Sequence, residues 1–115
     1  MGTLIIDKVI MNETPQHGTW LFCFSVTHGE DEYTFNIPDK EFEGDGITIE
    51  MNLEVFDVER GDEVTFFMGL DNDQSDVCSN NPSEKCDGKI RASSSGSKRF
   101  NPRDDWSFIL YFHMQ

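Results

Sequence analysis

Apolar and polar positions alternate with a period of two along most of this chain. From Thr19 to Thr27, Trp20, Phe22, Phe24 and Val26 fall on one side, with Leu21, Cys23, Ser25 and Thr27 on the other. From Ile47 to Val55, Ile47, Ile49, Met51, Leu53 and Val55 alternate with Thr48, Glu50, Asn52 and Glu54. From Trp106 to Met114, Trp106, Phe108, Leu110, Phe112 and Met114 share a face. A strand puts every second side chain on one face, whereas a helix would scatter these residues around its axis. Thr3 to Met11, Glu32 to Ile37 and Glu63 to Leu70 also read as strands, and Lys89 to Ala92 as a short one. In the first of these, Leu4, Ile6 and Ile10 are expected on one side and Ile5, Val9 and Met11 on the other.

Turn clusters separate the runs: NETPQHG at 12–18, HGED at 28–31, DKEFEGDG at 39–46, DVERGD at 57–62, SSSGS at 93–97 and NPRDD at 101–105. Gly, Pro, Asn and Asp are residues that turns require. Pro38 is expected to end the strand before it. The pattern gives about seven strands and no helix. Each strand has an apolar face to bury, and two stacked antiparallel sheets bury all of them. The expected fold is therefore all-β, an antiparallel β-sandwich of about seven to eight strands in a single domain spanning 1–115. Counting strands alternately up and down brings the turn at 12–18 and the loops at 38–46 and 71–88 to one end.

Composition narrows the partners. Asp and Glu number 22 against 9 Lys and Arg, for a formal charge of −13. Such a field repels nucleic acid and anionic lipid and attracts cations and basic proteins. The hydrophobic content of 37 % and aromatic content of 12 % argue against a disordered chain. No apolar run approaches the roughly 20 residues of a membrane helix. MGTLIIDKVI lacks the basic region and apolar core of a signal peptide. The expectation is a cytosolic protein, or a secreted one whose signal was removed.

The stretch from Leu70 to Gly88, LDNDQSDVCSNNPSEKCDG, breaks the alternation. It leaves an apolar run and turns at once into Asp71, Asp73, Asp76 and Asp87, with Asn72, Asn80 and Asn81 between. Calcium takes several hard oxygen ligands of this kind. Asp71 and Asp73, two apart at the mouth of a strand, lean the same way and can share an ion. A solvated acidic loop without an ion has the same composition. Cys78 and Cys86 bracket the tip and, in an oxidising compartment, would close a small disulfide ring; in the cytosol they would remain thiols. Zinc fits less well, because there is no C-x-x-C pair and His17, His28 and His113 are scattered. Cys23, among apolar neighbours, reads as a small buried side chain rather than a nucleophile.

Leu70-Asp71-Asn72-Asp73-Gln74-Ser75-Asp76, with Asp87-Gly88 following, resembles the third-loop pattern of C2 and C2-like domains. The resemblance implies an eight-stranded antiparallel sandwich of C2-like or immunoglobulin-like topology, with end loops that bind calcium. It implies Asp71 and Asp73 as principal ligands; by residue type Asp76 or Asp87 could complete the set, and the first loop offers Asn12 and Glu13 as oxygen donors. The first loop, NETPQHG, departs from the family in having no Asp pair, and no basic patch replaces it for membrane docking. No nucleophile motif or glycine-rich phosphate loop is present, so no enzyme is expected. The function expected is a calcium-dependent binding or adhesion module for a protein or carbohydrate ligand, with no nucleic-acid partner. The alternative is a small acidic inhibitor of the immunity-protein type that caps a basic partner protein.

Overall fold

The structure, a computed structural model, describes residues 2–14, 18–42, 46–71 and 84–115. Eight strands run in order: β1 (Gly2–Glu13), β2 (Gly18–His28), β3 (Asp31–Phe42), β4 (Ile47–Val58), β5 (Glu63–Asp71), β6 (Glu84–Arg91), β7 (Gly96–Arg103) and β8 (Trp106–Met114). They form two four-stranded antiparallel sheets, ordered β4-β1-β8-β7 and β3-β2-β5-β6. The fold is the expected antiparallel β-sandwich. No helix among the described residues is long and apolar enough to cross a membrane.

Alternation decides which faces meet. Phe22, Phe24 and Val26 of β2 and Val64, Phe66, Met68 and Leu70 of β5 are buried against Trp106, Phe108, Leu110 and Phe112 of β8. Phe66 is the hub of this interior. It stacks on Phe24 at 5.4 Å within its own sheet and meets Phe100 and Phe108 of the other edge-on at 4.9 and 6.3 Å. Fully burying one such side chain contributes about 1.5–3 kcal/mol.

The expected parity of β1 holds only in its first half. Leu4, Ile6, Val9 and Met11 are the fully buried residues, and Ile10 is partly exposed. The reason is a bulge at Asp7. Ile6 pairs with Phe112 and Lys8 with Tyr111, so one extra residue enters β1 and every later side chain changes face. β4 has two similar irregularities, at Asn52 (φ 50°) and Asp57 (φ 60°). Both sit in the left-handed region that Asn and Asp tolerate better than other side chains.

Three further expectations are corrected. Pro38 does not end β3, which runs on to Phe42. β3 lies at a sheet edge, where a missing N–H breaks no ladder bond, and the register shifts opposite it between Trp20 and Phe22. β6 begins at Glu84 rather than Lys89, so Asp87 and Gly88 belong to a strand and not to the loop. β7 was not expected at all: GSKRFNPR carries only Phe100 as an apolar residue, and as an edge strand it needs little more.

Candidate functional site

The connections β1–β2, β3–β4, β5–β6 and β7–β8 all leave the same end of the sandwich. The first three are the loops that strand counting brings together. At this end Gly46 donates its N–H to the Met11 carbonyl at 2.7 Å, tying the start of β4 to the end of β1. Gly46 has φ 81°, a conformation that suits glycine.

Asp71 ends β5, its backbone paired with Leu21 of β2. Asp73 and Asp76 lie outside the described residues, as does Cys78. Asp87 does not join them. It lies opposite Phe67, four residues back from Asp71 along β5, which at about 3.4 Å per residue is about 14 Å from the strand end. Its side chain is exposed on the outer face of the sheet, too far to share one ion with Asp71. Asn12 and Glu13 close β1 in the other sheet. The Glu13 carboxylate accepts a hydrogen bond from Ser107 Oγ at 3.4 Å. Among the described residues, no group of three or more His, Cys, Asp or Glu is placed to hold a metal ion.

Two features at this end were missed in the sequence. Glu84 points into the sandwich and is buried, and Arg103 from β7 meets its carboxylate at 2.9 Å. Arg103 also pairs with Asp105 at 3.1 Å. One guanidinium thus links the sheet edges at the mouth of the β5–β6 loop. The signal for it was Glu84 at the first inward position of β6, legible only once β6 is known to start there. The other feature is a pair of buried donors. Among the described residues, Trp106 Nε1 and Asn12 Nδ2 meet no acceptor, although buried N–H groups are usually partnered.

The cysteines are corrected as well. The Cys78–Cys86 ring is not formed, because Cys86 is a free thiol. Its side chain turns toward the core from the inward face of β6, half-buried. Burial, with Asp87 adding to it, pushes this thiol up to about 11. Among the described residues, Cys23 is disulfide-bonded. It is fully buried, as expected, and faces Gly69 across the β2–β5 pair.

At the opposite end, Asp62 organises the β4–β5 turn. Its carboxylate accepts the Glu59 N–H at 2.9 Å and lies 3.3 Å from His28 Nε2. The Glu59 N–H first, and His28 after it, hold Asp62 below its ordinary 3.8.

These features define the class: an eight-stranded antiparallel β-sandwich with its acidic connections gathered at one end. Compared with known proteins, the chain matches no family model, no curated protein and no solved structure.

Proposed function

We propose that this protein is a calcium-dependent binding module whose site lies at the end of the sandwich where β1–β2, β3–β4 and β5–β6 connect. The observation that supports this reading is the convergence of those three connections on one end. It gathers a carboxylate-rich stretch, Asp71 to Asp76, with the ends of strands distant in sequence. The resemblance of Leu70 to Asp76 to a C2-type third loop points the same way. We assign Asp71, Asp73 and Asp76 as the ligand set. Asp87 is left out because its register removes it from the loop, and Asn12 and Glu13 because stacked sheets stand about 10 Å apart. Carboxylates crowded together repel until a cation enters, so binding should stabilise the fold by mass action. Thermal melting with added calcium tests this. The melting temperature should rise, and Asp71→Asn with Asp73→Asn should abolish the rise. Absence of any rise at millimolar calcium refutes the reading.

A second reading, an acidic protein that caps a basic partner, is favoured by the formal charge of −13 and by exposed Glu50, Glu54 and Asp57 on β4. It requires affinity that falls as salt rises.

A further inference from the structure

The two open edges of the sandwich carry opposite charge. β3 and β4 lie at one edge, one in each sheet, and hold seven carboxylates and one lysine between them. β6 and β7 lie at the other and hold six of the nine Lys and Arg against two carboxylates. The net charges are −6 and +4, in a chain whose formal total is −13. The segregation follows from topology: the basic residues concentrate between Lys85 and Arg103, which the fold places along one side.

Part of the basic edge is neutralised at home. Lys89 and Arg91 reach Glu63, and Arg103 holds Glu84 and Asp105. Lys98 and Arg99 are different. Lys98 Nζ donates to the Lys89 carbonyl at 3.2 Å and lies over the Phe100 ring, and Arg99 Nε donates to Asn101 Oδ1 at 3.3 Å. Both are exposed, and among the described residues neither meets a carboxylate. On β4, Glu50, Glu54 and Asp57 are likewise exposed with no cation beside them among the described residues.

We propose that copies of this chain associate head to tail, the β6–β7 edge of one against the β3–β4 edge of the next, with Lys98 and Arg99 facing Glu50 and Glu54. Three arguments favour a second copy as the occupant. The first is charge. Edge strands carry unpaired backbone groups, and charged side chains there keep identical edges apart. That protection acts between two β7 edges or two β4 edges, and it turns to attraction when β7 meets β4. The second is direction. Each sheet has four strands, all neighbours antiparallel. An even count means that a translated copy presents its β4 antiparallel to β7, and its β3 antiparallel to β6, so both sheets continue across the contact. The third is screening. At physiological salt the Debye length is about 8 Å, so the facing edges govern the contact rather than the net charge of each molecule. Such an interface joins unlike surfaces and need not close, so it builds short open chains rather than a symmetric dimer.

Sedimentation velocity on the full chain tests this, with circular dichroism to confirm folding of each variant. Wild type should associate with rising concentration, more weakly at high salt. Lys98→Glu with Arg99→Glu should remove the basic edge, and Glu50→Lys with Glu54→Lys the acidic one. Each variant alone should lose association by at least about tenfold, since facing charges now repel. Mixed in equal amounts, the Glu50→Lys/Glu54→Lys variant contributes an intact β7 edge and the Lys98→Glu/Arg99→Glu variant an intact β4 edge, and their two altered edges are again opposite in charge, so the mixture should recover the association that each variant lacks alone. Wild type that stays monomeric from micromolar to millimolar concentration overturns the proposal. So do variants that associate as wild type does, or a mixture that remains monomeric.

Discussion

Gly88 offers a sharp test of how the sandwich is packed. It lies on the inward face of β6, directly opposite Phe66 of β5. A Cβ there would stand 2.6 Å from Phe66 Cε1, 2.7 Å from Phe66 Cζ and 3.0 Å from Phe100 Cε1. Carbon atoms in ordinary contact are about 3.5–4.0 Å apart, so a methyl group overlaps the ring by about 1 Å. The ring has little freedom to yield, because Phe24 stacks on one face and Phe100 and Phe108 press on it from the other sheet. Overpacking of this kind costs about 1–3 kcal/mol. In a domain of this size each kcal/mol moves Tm by about 3–6 °C, so Gly88→Ala should melt several degrees lower. Urea unfolding gives the free energy directly. The mechanism is checked by Phe66→Leu, which shortens the side chain that the methyl strikes. The double variant should be less unstable than the sum of the singles by about 1 kcal/mol or more. If Gly88→Ala lies within about 0.5 kcal/mol of wild type, or if Phe66→Leu fails to relieve it, the close approach is wrong.

Other perturbations reach the remaining features. Arg103→Met should strand the buried Glu84 carboxylate and cost about 1–3 kcal/mol by urea unfolding, with Glu84→Gln in the same chain recovering much of it. Asp62 is held below its ordinary 3.8 in the folded state, so its contribution is present above that value and lost as pH falls through the folded pKa. Asp62→Asn should therefore be less stable than wild type at neutral pH, with the gap in Tm closing below pH 3.8. Cys86, raised to about 11, should resist iodoacetamide at pH 8 in the native state and react after unfolding in urea, whereas Cys23 should need a reductant first.

Where burial imposed a period, the fold was legible. The runs at 19–27, 47–55, 63–70 and 106–114 each fill the interior with one face, so their side chains state their geometry. The errors fall where that pressure is weak. β7 buries little and carries charge, so GSKRFNPR has no period to read. β6 alternates Glu84, Cys86, Gly88 and Ile90 inward, but a glycine and a buried carboxylate hide the pattern. The Asp7 bulge inverts the second half of β1 without altering its composition, and no local signal announces it. For the site, topology confirmed that the three loops share an end, whereas register removed Asp87 from them. Sequence spacing alone treated Asp87 as part of the loop because the start of β6 was placed too late. The basic edge escaped notice for a related reason. Lys98-Arg99 and Arg103 form a small patch in sequence, and only the adjacency of β6 and β7 at one side of the sandwich adds Lys85, Lys89 and Arg91 to it.

Calorimetric titration with calcium, carried out on wild type, on Asp71→Asn with Asp73→Asn, and on Asp87→Asn, probes the proposed site most directly. Wild type should bind saturably, neutralising Asp71 and Asp73 should abolish binding, and neutralising Asp87 should leave it unchanged. No heat at millimolar calcium, or binding that depends on Asp87 as strongly as on Asp71 and Asp73, contradicts the proposed site.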